Sequence, residues 1–165
     1  LAHSRELPVF TNPLPNSYQR FGCDEAPRYV SWSRQNRSQL VRIPMVKGDN
    51  CRMELRSPDP ACNPYLAIGL VLAAGLDGIE HRMVLQPPVN KNLFRPGEAE
   101  GLGLEMLPAT LEEAVAIAEE SDFLHKVLPE ELSRRYFAEE RARCEALRAA
   151  ADPAEYERIH YFNAI

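Results

Sequence analysis

Asn36-Arg37-Ser38-Gln39-Leu40-Val41-Arg42-Ile43-Pro44, followed by Cys51-Arg52-Met53-Glu54-Leu55-Arg56 and then Ser57-Pro58-Asp59-Pro60-Ala61-Cys62-Asn63-Pro64-Tyr65, is the stretch whose reading decides the fold. Side chains of a strand alternate between its faces. Read as a strand, Cys51, Met53 and Leu55 face a core, and Arg52, Glu54 and Arg56 line the opposite face. The preceding run repeats the design: Val41 and Ile43 share a face, Arg42 lies opposite, and Arg37 stands just upstream. A carboxylate between two guanidinium groups stays ionised at neutral pH. Such a row suits anionic oxygens, with or without a metal ion. The pattern alone gives more weight to a plainer reading, a solvated strand face laced with salt bridges.

Working outward, Lys47-Gly48-Asp49-Asn50 is a strong turn signal and predicts an antiparallel hairpin of Leu40–Val46 with Cys51–Ser57. Arg28–Trp32 is a further expected strand. Leu1–Tyr18, rich in Pro, Asn and Thr, reads as loop, and Gln19–Pro27 as an exposed, mobile one. On the other side, Asn63 is an N-cap with Pro64 at the first helical position. The helix is expected to run to about Met83. It starts almost wholly apolar, but Asp77, Glu80, His81 and Arg82 arrive too early for the roughly 20 apolar residues of a membrane span. With Gly69, Gly75 and Gly78 suiting close packing, it reads as a buried core helix. Residues 84–109 read as loop. Thr110-Leu111-Glu112-Glu113 is a capping box. Residues 110–165 read as a helical region: an amphipathic helix with Ala114, Ile117 and Ala118 inward, a short turn over Ser121–Leu128, a charged helix from Pro129 to about Ala151, and a last helix after Asp152-Pro153.

The chain has 165 residues, enough for one domain or part of a larger one. A net charge of −5 argues against a nucleic-acid surface, and no membrane segment is expected. Cys23, Cys51, Cys62 and Cys144 fit no zinc spacing and read as free thiols in a reducing cytoplasm. The opening Leu-Ala-His-Ser-Arg-Glu has no signal-peptide character and reads as a chain entered midway through a larger protein.

Asn36-Arg37-Ser38, Arg42-Ile43-Pro44, Glu54-Leu55-Arg56 and Pro58-Asp59-Pro60-Ala61-Cys62-Asn63-Pro64-Tyr65-Leu66 resemble the C-terminal catalytic half of glutamine synthetases, the bacterial type in particular. Asn12-Pro13, Asn16-Ser17-Tyr18-Gln19-Arg20 and Glu25-Ala26-Pro27 upstream match the same family in order, as do Gly75-Leu76-Asp77-Gly78-Ile79-Glu80 and Val89-Asn90-Lys91-Asn92-Leu93 downstream. The resemblance implies an α+β fold: residues 1–165 as the C-terminal portion of a catalytic domain, with strands and a flap loop over 1–57, a core helix over 63–83, and antiparallel strands packed on helices. It implies ligation of ammonia to the side-chain carboxylate of glutamate by way of γ-glutamyl phosphate, with ATP as substrate and Mg2+ or Mn2+ bound through carboxylate oxygens. It also implies a cytoplasmic homo-oligomer.

The implied roles fall residue by residue. Arg20 pairs with the glutamate carboxylate. Glu25 is the flap acid that closes the glutamate site and helps deprotonate ammonium. Arg37 contacts the transferring phosphate, at the junction of glutamate and ATP. Arg42 is a second ATP-phosphate contact, Arg52 lines the nucleotide site, and Lys47 is a candidate ATP-contacting lysine. Glu54 is a metal ligand. Arg56 contacts substrate glutamate and the transferred phosphate. One Glu cannot hold two or three divalent ions, so the chain alone is expected to be inactive.

Four departures from the family pattern matter. The Lys47–Asn50 turn is shortened, which leaves Lys47 only a candidate. Gln19 stands where the family usually has Lys. The flap is one residue shorter and reads Phe21-Gly22-Cys23-Asp24 without the usual Pro-Gly. Phe94 stands where some members carry an adenylylated tyrosine, and without a hydroxyl it cannot be nucleotidylated. The altered flap favours one alternative, a ligase joining glutamate to an amine or polyamine; a second is a non-catalytic domain that retains the arginine face and binds nucleotide or a partner.

Overall fold

The Lys47–Asn50 turn closes a hairpin. In the computed structural model, which describes residues 1–23 and 25–162, β2 (Val41–Ile43) runs antiparallel to β3 (Glu54–Leu55), with Val41 opposite Leu55 and Arg42 opposite Glu54. The turn contains a 3₁₀ segment, Gly48–Asn50, entered at a Gly48 φ of +65° that a side chain would resist. β1 (Trp32–Arg34) pairs with β2 in parallel and completes a sheet of order β1-β2-β3. The sheet is therefore mixed, not antiparallel throughout. The loop 35–40 carries the chain back to the starting end of β1, so β2 leaves in the same direction. The strand expected at Arg28–Trp32 also divides. Tyr29 bridges to Met106, with Val30 N–H donating to Glu105 O and Leu107 N–H to Arg28 O, both at 2.8 Å.

Two burial expectations change. Cys51 is exposed and Met53 is 57% exposed, while Leu55 alone of the three packs on the core. Residues 51–53 precede the ladder, and that side of the sheet borders an open apolar groove of about 540 Å³. The groove's other wall is α2 (Pro64–Glu80). α2 starts as its sequence dictates, with the Asn63 side chain accepting from the N–H groups of Tyr65 and Leu66 and Pro64 at the first turn. Only Ala67 and Leu70 are buried along it, and Tyr65, Ile68, Leu72, Leu76 and Ile79 are exposed. It is a half-covered helix, because no described residue lies over its outer stripe. A Cβ built at Gly69, Gly75 or Gly78 would meet nothing within 4 Å, so these glycines serve no close packing here. Among the described residues no helix is long and apolar enough to cross a membrane.

The centre of the core is the segment expected to be loop. α1 (Pro8–Thr11) is fully buried, and a 3₁₀ turn, Pro15–Arg20, follows it. The Phe10 ring stacks on Tyr136 at 4.5 Å, and Tyr136 donates its hydroxyl to Val9 O at 3.0 Å. Short length and proline hid this turn of helix. Around it pack α2, α3 (Leu111–Glu119) and α5 (Glu130–Ala149), joined by α4 (Asp122–Val127), with α6 (Pro153–His160) against α5. Thr110 caps α3 by accepting from Glu113 N–H, while the Glu113 carboxylate accepts from Ala109 N–H instead of from Thr110. Leu111, Ala114, Val115 and Ala118 form the buried stripe of α3, with Val115 in the place expected for Ile117. All four cysteines are free.

Candidate active site

Strand alternation and hairpin register together put Arg42 beside Glu54. Arg42 Nη1 lies 2.8 Å from Glu54 Oε2, and Arg42 Nε donates to Gln35 O at 2.9 Å, which fixes the guanidinium. Arg52 Nε donates to Glu54 Oε1 at 3.1 Å. The hydrogen bond from Arg42 holds the Glu54 carboxyl below its ordinary value; desolvation opposes this and Arg52 adds to it.

Arg56 follows β3, its N–H donating to Leu40 O at 3.0 Å. Its side chain is 13% exposed, and its Nη2 lies 3.3 Å from Glu25 Oε2. Arg37 Nη1 approaches Glu25 Oε1 at 3.6 Å. Glu25 thus bridges two arginines from the flap, at a φ of +68° that is uncommon for a residue with a side chain. Burial pushes Arg56 below the usual arginine value; Glu25 opposes that, and Arg37 and Arg42 reinforce it. Arg56 Nη1 is buried and finds no hydrogen-bond acceptor among the described residues. A buried guanidinium with an unfilled donor is a ready partner for an anionic oxygen.

Arg20, at the end of the 3₁₀ turn, meets Asp59 Oδ2 at 3.5 Å. Asp59 is itself fixed: its other oxygen accepts from Ala61 N–H at 2.7 Å, and its N–H donates to Thr11 O at 2.8 Å. Asn12 Nδ2 donates to Ser57 O at 2.9 Å, tying the two loops together. Asn36 Nδ2 and Gln39 Nε2 both donate to Lys91 O, at 2.8 and 2.9 Å, and Leu93 N–H donates to Ser38 Oγ at 2.9 Å. Asp59, Asn12, Asn36 and Ser38 were visible in the sequence only as motif letters. Their work is to hold the loops that carry Arg20 and Arg37.

The structure therefore brings Glu25, Arg37 and Arg56 together, and Arg42, Arg52 and Glu54 together, with Arg56 sensing both groups. Arg20 stands apart on Asp59, and Lys47 is exposed in the hairpin turn. Asp24, in the altered flap, lies outside the described residues. The described residues do not by themselves complete a divalent-metal site: no group of three His, Cys, Asp or Glu side chains converges among them, and the Glu54 oxygens accept from Arg42 and Arg52.

Comparison with known proteins points the same way. The family model of the glutamine synthetase catalytic domain matches residues 1–159. The glutamine synthetase of Methanosarcina mazei is 44% identical over 161 residues, covering 96% of this chain and 36% of that protein. That of Staphylococcus aureus is 37% identical over 164 residues, covering 98% and 36%. Two solved GmaS structures, one without ligand and one an ADP complex, superpose with a TM-score of 0.80 at 31% and 30% identity, over 99% of this chain and 36% and 37% of theirs. The chain spans about a third of the length of the relatives it matches. It belongs to the glutamine synthetase family, whose catalytic-domain model matches residues 1–159 of the chain.

Proposed function

We propose that this chain is the C-terminal portion of the catalytic domain of a cytoplasmic, homo-oligomeric glutamine synthetase. The buried, unfilled Nη1 of Arg56, set between Glu25 and Arg37 on one side and Arg42 and Glu54 on the other, carries the reading. In the proposed reaction a glutamate γ-carboxylate oxygen attacks the terminal phosphorus of ATP, and ADP leaves. The ammonia nitrogen then attacks the acyl-phosphate carbon, and phosphate leaves. Both steps crowd negative charge on phosphoryl and acyl oxygens, and fixed guanidinium groups stabilise that charge without reorganising. Arg37 and Arg56 stand at the transferring phosphoryl group, with Arg56 also on glutamate. Arg42 and Arg52 hold the nucleotide phosphates, and Arg20 the glutamate carboxylate. Glu25 takes the proton that ammonium must lose. Mg2+ or Mn2+ is the ion proposed for the whole protein, with Glu54 as one oxygen ligand. The other ligands would come from outside the described residues, so the chain alone should not turn over. A solved relative whose name records an ADP complex supports the nucleotide half of this reading.

One observation favours a second acceptor. The flap between Arg20 and Glu25 is short and closely turned, with Gly22 N–H donating to Ala26 O at 2.7 Å and Ala26 N–H to Cys23 O at 2.8 Å. A shorter flap leaves different room beside Glu25 and suits a larger amine. The test is phosphate release from Mg-ATP and glutamate by a chimera in which this chain replaces the matching third of the Methanosarcina mazei relative. Ammonium is expected to be the best acceptor in a panel with methylamine, ethylamine and putrescine. Preference for an alkylamine would move the assignment to an amine ligase. ATP binding without release with any acceptor would favour a non-catalytic nucleotide-binding domain.

A further inference from the structure

The flap is held by a residue that no functional role covers. Its outgoing limb is anchored by Tyr18 and Phe21, both buried, whose rings meet edge to face at 5.6 Å. Its return limb, Ala26 and Pro27, is also buried and leads into Arg28–Val30, which pairs with Glu105–Leu107. Between the limbs the side chain of Arg28 reaches back, and both Nε and Nη2 donate to Phe21 O, at 3.1 and 2.8 Å. A carbonyl oxygen that accepts two donors of one planar guanidinium is fixed in direction as well as distance. Gly22 sits directly beneath this fork at a φ of +89°, and a Cβ there would lie 3.2 Å from Arg28 Nε. Arg28 therefore closes a ring of contacts around the loop that presents Glu25, without touching Glu25, Arg37 or Arg56.

We propose that Arg28 is a positioning residue of the candidate site. Its guanidinium clasps the base of the flap at Phe21 and so sets where Glu25 meets Arg56 and Arg37. What that position achieves for the incoming amine rests on the functional reading above; the clasp itself does not. Glu25 holds a left-handed backbone conformation and a largely exposed side chain, so its own two ion pairs are too weak to fix it. The rigidity has to come from the loop base.

The experiment uses this chain and needs no turnover. Amide hydrogen exchange and the side-chain Nε–H signal of Arg56 are compared by NMR in wild type, Arg28→Met, Arg28→Lys and Glu25→Gln. Arg28→Met is expected to speed exchange at Gly22 and Ala26 by about tenfold and to leave α3 and α5 unchanged. It is also expected to reproduce, on Arg56, the signal change that Glu25→Gln produces, and Arg28→Lys should recover part of both. Unchanged exchange at Gly22 and Ala26 overturns the proposal. So does faster exchange with an unaltered Arg56 signal, and so does loss of protection spreading to α3 and α5. Should the chimera release no phosphate while these signals behave as expected, the functional reading fails and the clasp stands.

Discussion

Arg42 does more for Glu54 than Arg52 does, and the hairpin register is the reason. Arg42 is the cross-strand partner and is pinned on its far side by Gln35 O, whereas Arg52 lies on the same strand run and half in solvent. Arg42→Met is therefore expected to raise the Glu54 carboxyl toward its ordinary value of 4.5, and Arg52→Met to raise it less, as read by carboxyl-carbon NMR titration. The sign for stability follows. A carboxyl whose folded-state pKa is depressed contributes above the unfolded value and loses that contribution as pH falls through the folded one. The wild-type melting temperature should fall more steeply below about pH 4.5 than that of Arg42→Met. An identical acid limb in the two proteins would show that the pair does not couple to folding. At this scale the sequence was most legible where period-2 alternation operates, at Arg42 and Glu54. It was illegible for Arg28 and Asp59, whose contacts cross the flap and the chain and follow no local period.

Helices carry the clearest contrasts at the scale of elements. α5 reads as a charged helix, yet Glu140 on its inner side is 3% exposed. Burial pushes its carboxyl up to about 7, with Arg143 at 3.6 Å opposing and Glu139 adding. A folded-state pKa above the unfolded one means that the folded protein binds the extra proton. Stability is then full below about 4.5 and declines as pH rises through about 7. Glu140→Gln keeps the shape and cannot ionise. Its melting temperature relative to wild type is expected to be higher at pH 8 than at pH 5. A difference that does not change with pH would mean that Glu140 is ionised throughout. Nothing in a helical wheel separates Glu140 from Glu139 with certainty, because α5 is acidic on several sides. α2 is less covered than its composition suggests, for a different reason. Apolar composition predicts burial, but burial requires a neighbour, and composition cannot say whether the described residues supply one. α1 was missed because a four-residue helix beginning at proline leaves no periodic trace.

For the whole molecule, the outer stripe of α2 and the groove beside β3 form one apolar surface in a chain about a third the length of its relatives. Large exposed apolar surfaces drive association. The isolated chain is expected to self-associate with rising concentration in sedimentation velocity, and the double variant Leu72→Glu, Leu76→Glu to remain monomeric. That variant should cost the fold little, within about 0.5 kcal/mol, since both side chains are exposed. A wild-type chain that stays monomeric throughout would argue that this surface is tolerated by water and needs no cover.

The proposed function requires the arginine and glutamate face to support acyl-phosphate chemistry in a full-length context. The most direct test is glutamate- and ammonium-dependent phosphate release from Mg-ATP by the Methanosarcina mazei chimera, with and without Arg37→Gln. Release is expected to depend on both substrates and to fall about a hundredfold or more in the variant. A folded, assembled chimera without release, or one indifferent to Arg37, would contradict it.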